Sequence, residues 1–301
     1  MYDTHAHLTF PQLGDIELTV QKSKDAGLLG IISCSTKLEN IPDNFAIAKK
    51  YPDFIYPTVG IHPEAVEEFC KKFEKNCEKL EKFVSTNRER IVAIGECGLD
   101  YFHKTDNIED QKKVFEFQIE LAIKYKLPMI IHTRNAAAHT PPSTPLLAPL
   151  SKERGINPLL NEGVTSCIMD GVEMLKKHLK KTPAIKTKKM GKDLVGQVGK
   201  NVNKLFHKPS KTYNLVGVCH CFTGNLEEAK AIIDLGFYLG FTNIVTYKSA
   251  VQVQEVLKWA KENHADKILF ETDSPYLPPV ANRGGICYPK DVREVYKFKT
   301  T

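Results

Sequence analysis

The sequence predicts an α/β fold, specifically a (β/α)8 TIM-type barrel. Eight short apolar runs recur along the chain, and amphipathic stretches separate them. Continuous apolar strands that alternate with helices are typical of a parallel sheet covered by helices, and eight such units can close a barrel. The length of 301 residues suits one barrel, and 42% apolar with 26% charged residues indicates a globular protein with a core, not a disordered chain.

The strands are read from the apolar runs, of which IVAIGEC at 91–97 is typical. Apolar residues at helical spacing predict helices between them, over Asp110–Tyr125, Glu227–Leu235 and Val251–Asn263. The eight strands are expected at about 1–5, 28–33, 54–60, 91–97, 128–132, 215–220, 237–241 and 267–272.

The strand–helix alternation stops for about eighty residues after the fifth predicted strand. A loop of that length is unusual inside a compact domain, so we expect one domain over 1–301 with a lysine-rich insertion at about 136–213, between strands 5 and 6. The C-terminal end is short and leaves room for only a small charged helix around Asp291–Phe298. Within the insertion, one amphipathic helix is predicted by Met174, Leu175 and Leu179.

The positive charge is concentrated in one segment. The chain has 42 basic and 36 acidic residues, a net charge of +6. Residues 176–211 hold twelve lysines and one acid, Asp193, so that segment carries +11 and the rest of the chain −5. The overall charge therefore does not argue for nucleic-acid binding. The segment fits either a solvated insertion or contacts with nucleic-acid phosphates, and it has too few aromatic residues to favour base stacking.

The eight cysteines form no C-x-x-C pair, which indicates reduced thiols in a reducing compartment. The N-terminal MYDTHAHLTF lacks the basic and apolar parts of a signal peptide, and no run approaches the length of a membrane span. We expect a cytoplasmic monomer without a signal peptide, membrane segment or evident protein partner. The KTKKMGK stretch keeps nuclear entry as a weak alternative.

Candidate metal ligands follow several of the predicted strands. His5 and His7 lie two residues apart on the first strand, so both side chains can point to the same face and share a cation. The other candidates end strands 4, 5, 6 and 8, and barrel active sites lie at the carboxyl ends of the strands. Six ligands that converge from five strands suit one or two divalent cations. The set is His5, His7, Glu96, His132, His220 and Asp273.

Other polar residues near these ligands receive different roles. His62 ends strand 3 without a second ligand beside it, which favours a substrate-binding or acid role over a metal role. Arg134 can reach a phosphate or form a surface salt bridge. Glu271 faces the same side as Asp273 but deeper, which favours a supporting position. Cys219 and Cys221 flank His220 and should point away from the site, and we expect them to serve in packing.

These motifs resemble those of the TatD family of metal-dependent deoxyribonucleases, within the amidohydrolase-like barrels. The resemblance implies a TIM-type barrel, two divalent cations (Mg²⁺, Mn²⁺ or Zn²⁺) and phosphodiester cleavage of DNA. The insertion and the short C-terminal end depart from the family pattern. The matching motifs are D-T-H-x-H at Asp3–His7, G-I-H-P at Gly60–Pro63, G-E-x-G-L-D-Y at Gly95–Tyr101, L-P-x-x-I-H-x-R at Leu127–Arg134, H-x-F-x-G at His220–Gly224 and E-T-D-S-P-Y-L at Glu271–Leu277.

The favoured hypothesis is a metal-dependent deoxyribonuclease, an exonuclease that uses a water activated by two cations about 3.5–4 Å apart. Asp273 and Glu96 are the catalytic candidates, and DNA is the expected substrate. In this assignment His5, His7 and Asp273 hold one cation, His132 and His220 hold the other, and Glu96 bridges the two. Asp273 also takes the proton of the water. His62 or Arg134 binds the phosphate.

Two alternatives stay open on the sequence alone. A relative on the same barrel could cleave C–N or ester bonds, but many such enzymes bridge their metals with a carboxylated lysine from strand 4. Here strand 4 carries Glu96 and no lysine between Ile91 and Tyr101. The second alternative is a non-catalytic nucleic-acid-binding protein that uses the lysine-rich insertion, and such a protein would not need a complete set of metal ligands.

Overall fold

A computed structural model describes residues 1–135, 166–179 and 215–300 of the chain. Within these residues, a strand lies at each of the eight predicted places. The fourth and fifth strands continue further along the chain than expected, to Asp100 and Arg134. The strands are β1 Tyr2–Ala6, β2 Gly30–Ser33, β3 Ile55–Pro57, β4 Ile94–Asp100, β5 Met129–Arg134, β6 Gly217–Cys219, β7 Tyr238–Phe241 and β8 Ile268–Phe270.

All strand pairs are parallel and follow the order of the chain. One sheet has the order β1-β2-β3, and the second has the order β4-β5-β6-β7-β8. Isolated parallel bridges connect the sheets at both edges, between Val59 and Ile94 and between Ala6 and Ser274. The α/β architecture with parallel strands is therefore confirmed.

The described helices occupy the segments between the strands, except the last, which follows β8. The long helices predicted after β4, β6 and β7 are confirmed. Local capping defines some helix starts: the Asp15 side chain accepts hydrogen bonds from two backbone amides at the start of α1. The helices are α1 Ile16–Asp25, α2 Ile41–Lys50, α3 Val66–Cys70, α4 Phe73–Asn87, α5 Ile108–Tyr125, α6 Cys167–Leu179, α7 Leu226–Asp234, α8 Val251–Asn263 and α9 Val292–Thr300.

Two buried apolar clusters stabilise the fold. The larger cluster lies between the strands and the helices and includes Val114, Phe115 and Ile119 of α5. The smaller cluster draws on residues in or next to all eight strands, which is the arrangement expected where strands surround a common interior. Its members are Tyr2, Ile32, Cys34, Tyr56, Val92, Ala93, Ile130, Val216, Val218, Tyr238 and Leu269.

Helix α6 corrects the predicted insertion. The amphipathic helix predicted there is confirmed, but it contacts β4, β5, α5 and α7. Its apolar residues Ile168, Val172, Leu175 and Leu179 are buried, so it belongs to the core. The apolar spacing predicts this helix, but spacing within one segment does not predict which strands and helices it contacts. Residues 136–165 and 180–214 lie outside the described residues, so the remainder of the insertion stays a prediction.

The chain ends in the small helix that the sequence predicts. Helix α9 buries Val292 and Val295 completely and contacts β8. It therefore covers the last strand despite its nine residues. Among the described residues, no helix is both long and apolar enough to cross a membrane.

Candidate metal centre

The first strand brings two histidines together at a buried carboxylate. The Nε2 atoms of His5 and His7 lie 3.2 Å apart. Glu96 Oε2 is 3.2 Å from the first and 3.3 Å from the second. Asp273 Oδ1 is 3.6 Å from His5 Nε2 and 3.3 Å from His7 Nε2. Two imidazoles and two carboxylates thus converge on one small volume.

The other oxygen of Glu96 faces a second group of histidines. Glu96 Oε1 lies 2.8 Å from His220 Nε2 and 3.0 Å from His132 Nδ1. The two imidazoles approach each other, with 3.3 Å between His132 Nδ1 and His220 Nε2. One carboxylate therefore stands between two sets of nitrogen ligands, with one oxygen turned to each set. This is the arrangement that a bridging carboxylate requires.

The structure brings all six predicted ligands together, although two of them do not end their strands. Glu96 lies inside β4, which continues to Asp100, and His132 lies inside β5, which continues to Arg134. The strands run further because their pairing continues to the Asp100–Arg134 pair. His220 directly follows β6, and Asp273 comes three residues after β8.

Gly98 shows why the β4 segment needs glycine beside the ligands. Its φ is +136°, a backbone conformation that side chains with a Cβ rarely adopt. A Cβ at this position would lie 2.1 Å from the backbone oxygen of His132. The glycine therefore lets β4 approach β5 closely at the place where both strands carry a ligand.

The second nitrogens of His132 and His7 face hydrogen-bond acceptors. His132 Nε2 lies 3.1 Å from Asp100 Oδ2, and His7 Nδ1 lies 3.3 Å from the backbone oxygen of Cys34. An acceptor on the outer nitrogen fixes the tautomer and directs the lone pair of the other nitrogen to the centre. His5 Nδ1 lies 3.5 Å from Cys34 Sγ, and His220 Nδ1 lies 3.5 Å from Glu271 Oε1.

Sequence reasoning missed two of these supporting groups. Asp100 lies within the G-E-x-G-L-D-Y segment, so its position four residues after Glu96 was an available signal. Cys34 ends an apolar run and resembles any other buried cysteine. The supporting place predicted for Glu271 agrees with its full burial beside His220. Cys221 differs from Cys219 in being only partly buried, but neither thiol contacts the carboxylates of the centre.

The electrostatics of the site follow from buried opposite charges. Burial alone would raise the pKa of Glu96, but the His220, His62 and His5 rings hold it well below its usual range. Burial alone would lower the pKa of His132, yet its hydrogen bonds with Asp100 and Glu96 raise it to about 9. The pKa values of His7 and His220 are also raised and that of His5 is lowered, so without a cation protons on three of the four rings offset the charge of the carboxylates.

Asp273 is the second carboxylate of the centre, and its charge is set by the neighbouring histidines. Burial opposes ionisation, but the hydrogen bond with His7 and the charge of His220 lower the pKa of Asp273. Its side chain is 17% exposed, whereas that of Glu96 is 3% exposed. Asp273 is therefore the ionised carboxylate of the centre that is open to the pocket.

His62 lies closer to the ligands than the sequence predicts. The expectation that it has no ligand beside it is wrong, because its Nε2 is 3.4 Å from Glu96 Oε1 and its ring packs against that of His132 at 4.4 Å. The premise failed because spacing along one strand says nothing about neighbouring strands. His62 Nδ1 accepts a hydrogen bond from Glu64 N, so Nε2 carries the proton of the neutral ring and acts as a donor.

Arg134 lies on the rim of the same pocket. Its guanidinium stacks over the Phe102 ring, 4.3 Å from the ring centroid. Among the described residues, the contact of this guanidinium is with an aromatic ring and not the surface salt bridge considered from the sequence. This cation–π contact holds the guanidinium at the pocket.

The described side chains offer overlapping sets of metal-ligating atoms. A further set, Glu64, Asp100 and His103, lies beside the centre, and Asp100 Oδ2 faces both His103 and His132. The three central sets overlap at Glu96 or His5, and such overlap is expected where two cations bind side by side. They are His5, His7 and Glu96; His5, His220 and Asp273; and His62, Glu96 and His132.

Comparison with known proteins decides the family. The model of the TatD related DNase family matches residues 2–299. The chain belongs to the TatD family. An uncharacterized metal-dependent hydrolase of Buchnera aphidicola is 30% identical over 288 residues, covering 94% of this chain and 81% of that protein. The 3'-5' ssDNA/RNA exonuclease TatD of Pectobacterium parmentieri is 25% identical, covering 99% of this chain and 92% of that protein.

Solved structures agree with this assignment. The crystal structure of YjjV, a TatD homologue from Escherichia coli, matches with a TM-score of 0.71 at 25% identity, covering 99% of this chain and 88% of that chain. A TatD family hydrolase from Entamoeba histolytica matches with a TM-score of 0.67 at 20% identity, covering 100% of this chain and 90% of that chain, which shows the shared fold. This TatD family chain is therefore a metal-dependent hydrolase.

Proposed function

We propose that this TatD chain is a deoxyribonuclease that hydrolyses phosphodiester bonds with two divalent cations. The observation that carries the proposal is the position of Glu96, whose two oxygens face separate groups of histidines. His5, His7 and Asp273 would hold one cation, His132 and His220 would hold the other, and Glu96 would bridge them. Bound cations supply Lewis-acid activation of water and neutralise phosphate charge.

The donor set fits such cations. Imidazole nitrogens and carboxylate oxygens suit borderline divalent metals such as Zn²⁺ and Mn²⁺, and the carboxylates also suit Mg²⁺. The supporting acceptors at His7 and His132 are those that metal-ligating histidines use. The two buried carboxylates would also attract a cation, which would replace protons on the histidine rings.

In the proposed reaction, Asp273 removes a proton from the attacking water. It is ionised because its pKa is lowered, and it is the more exposed of the two central carboxylates. A carboxylate within hydrogen-bond reach of water can serve as the base. Glu96 is fully engaged by histidines and serves to hold the centre.

Two residues would hold the substrate phosphate. His62 presents a protonated Nε2 and is 13% exposed on the pocket side, so it can donate to a phosphate oxygen. Arg134 offers a charged guanidinium, the group best suited to paired hydrogen bonds with phosphate. Their contribution would be to orient the phosphorus towards the water.

We infer that the two sheets form one closed barrel within a single domain. The bridges Val59–Ile94 and Ala6–Ser274 join both edges, and residues in or next to all eight strands share one buried cluster. Closure matters because β1 and β8 must meet β4 for the ligands to converge. The insertion, the monomeric state and the cytoplasmic location, with nuclear entry as its alternative, stay predictions from the sequence.

Action at DNA ends is the favoured form of the activity. Relatives named 3'-5' ssDNA/RNA exonuclease support an exonuclease on nucleic acid. The amidohydrolase alternative is not favoured, since the central position of β4 holds Glu96 where many such enzymes use a modified lysine. The non-catalytic alternative does not account for the assembled ligand set.

The direct test uses end-labelled single- and double-stranded DNA with Mg²⁺, Mn²⁺ or Zn²⁺. We expect metal-dependent cleavage that starts at one end of the strand and that EDTA abolishes. Activity unchanged after exhaustive dialysis against EDTA would contradict the metal mechanism. Products released from internal positions would contradict an exonuclease but not a nuclease.

A further inference from the structure

The pocket beside the metal centre has an aromatic rim. Phe10, which follows β1, stacks on the ring of His7 with 4.7 Å between centroids and 18° between planes. Tyr276, which follows β8, stands nearly perpendicular to Phe10, at 6.0 Å and 86°. The Tyr276 ring also lies 6.4 Å from the ring of His7. The rings of Phe10 and Tyr276 therefore form an aromatic corner, called the Phe10–Tyr276 corner, next to His7.

The exposure of this corner indicates a binding surface. Tyr276 is 47% exposed, although an aromatic ring of this size normally buries most of its area. It lines the same pocket as Asp273, His62 and Arg134. An open aromatic face at a polar, charged pocket is suited to a flat ligand that also carries an anionic group.

We propose that the Phe10–Tyr276 corner binds an unpaired nucleobase of the nucleotide next to the scissile phosphate. The inference rests on the proposed nuclease function, because that function places the phosphate at the centre beside His7. Every base has a flat π face, so stacking on Tyr276 gives affinity with little dependence on sequence. Phe10 and Tyr276 would thus form a subsite for one base.

A structural consequence concerns the form of the substrate. A base inside a duplex already stacks on both neighbours, so it can occupy the corner only after leaving the helix. The energy of unstacking is smallest at single strands and frayed ends. The corner therefore favours unpaired nucleotides at the site of cleavage, independently of how the phosphate is held.

The test measures binding, so that it does not depend on turnover. Thymidine 5'-monophosphate and deoxyribose 5-phosphate share the sugar phosphate and differ in the base. Calorimetric titration of Mn²⁺-loaded native protein should give a Kd about 5- to 100-fold lower for the nucleotide, on typical values for base–aromatic stacking. Tyr276→Leu should abolish that ratio, and Tyr276→Phe should retain it.

The control and the contrary results separate the two proposals. Val251→Ala removes another exposed apolar side chain of the same pocket, and the ratio should stay at its native value. Phe10 is left unchanged because it packs on a proposed metal ligand. An equal Kd for both ligands in the native protein, or a native ratio in Tyr276→Leu, overturns the base subsite. Failure of the nuclease proposal instead shows as uncut labelled DNA, whatever the ratio.

Discussion

Asp273 is the residue whose chemical role can be separated most clearly from binding. Its carboxylate is ionised, reaches His7 and opens to the pocket. Asp273→Asn keeps the shape but cannot accept a proton, so we expect turnover to fall by about 10²–10⁴-fold. Binding of labelled single-stranded DNA, measured by fluorescence anisotropy, should persist.

Asp43→Asn provides the matched control for this substitution, because Asp43 is exposed on α2. It should show native turnover and binding. Metal content is measured on both variants by elemental analysis. Near-native turnover of Asp273→Asn would reduce this residue to a dispensable ligand.

The pKa of His132 predicts the pH dependence of metal binding. Without metal, hydrogen bonds raise this pKa from 6.5 to about 9, so the protonated ring stabilises the folded state below pH 6.5. That stabilisation is lost as pH rises through about 9. A metal ligand must be neutral, so cation binding releases the proton and becomes tighter with rising pH in this range.

The measurement is a calorimetric Mn²⁺ titration of metal-free protein at pH 6.5, 7.5 and 8.5. We expect affinity to rise by up to about tenfold per pH unit for each proton released. Repeating the titration in buffers of different ionisation enthalpy counts the protons. Constant affinity and no proton release would show that the cation does not displace a proton from His132.

At the residue scale, the sequence predicts the ligands better than their supports. His5 and His7 are two apart on a strand, and that spacing alone places both on one face. Asp100 and Cys34 support His132 and His7 from other strands; the spacing from Glu96 is a local signal for Asp100, but no local pattern links Cys34 to His7. The prediction that no ligand lies beside His62 was wrong because its neighbours Glu96 and His132 come from other strands, β4 and β5.

Gly98 allows a test at the scale of strand pairing. Gly98→Ala places a Cβ against the His132 backbone in a disfavoured φ region. Gly27 also has a positive φ, +81°, but no atom lies within 4 Å of its Cβ position. Gly27→Ala should lower the free energy of unfolding by about 1–2 kcal/mol, the usual cost of this conformation.

We expect Gly98→Ala to lose more stability than Gly27→Ala and also to lose bound metal, because the clash separates β4 from β5. Denaturant unfolding gives the free energy, and elemental analysis gives the metal content. Equal losses of stability with full metal occupancy would mean that the β4–β5 contact does not position His132.

At the element scale, strand positions were predictable, and their ends were not. Apolar runs identify buried strands because both faces of a parallel sheet are covered. The ends depend on pairing with neighbours, and β4 continues to Asp100 through polar and glycine residues that the pattern excludes. Helix α6 shows the same limit: its periodicity was visible, but its packing on β5 was not.

For the whole molecule, the lysine-rich segment can be separated from the chemistry. Helix α6 ends at Leu179 and is part of the core, so a deletion should begin at residue 180 and not at 176. Replacing 180–211 with a short Gly/Ser bridge should leave metal content and cleavage of a short oligonucleotide intact, because no predicted ligand lies there. Loss of metal would contradict this separation.

The same variant distinguishes the two hypotheses for the lysines. If three or four of them contact phosphates, the log–log salt slope of binding to long DNA should fall by about 3. If the segment is only solvated surface, the slope should be unchanged. Salt titrations of the full-length and deleted proteins give the answer.

If Glu96 holds two cations at one centre, as proposed, metal content shows it most directly. Native protein, Glu96→Ala and His5→Ala are stripped with EDTA, reloaded with Mn²⁺, dialysed and analysed for metal per chain. We predict two equivalents in the native protein, loss of both in Glu96→Ala and preferential loss of one in His5→Ala, because a bridging carboxylate serves both ions. Equal occupancy in the two variants, or a single equivalent in the native protein, would contradict the account.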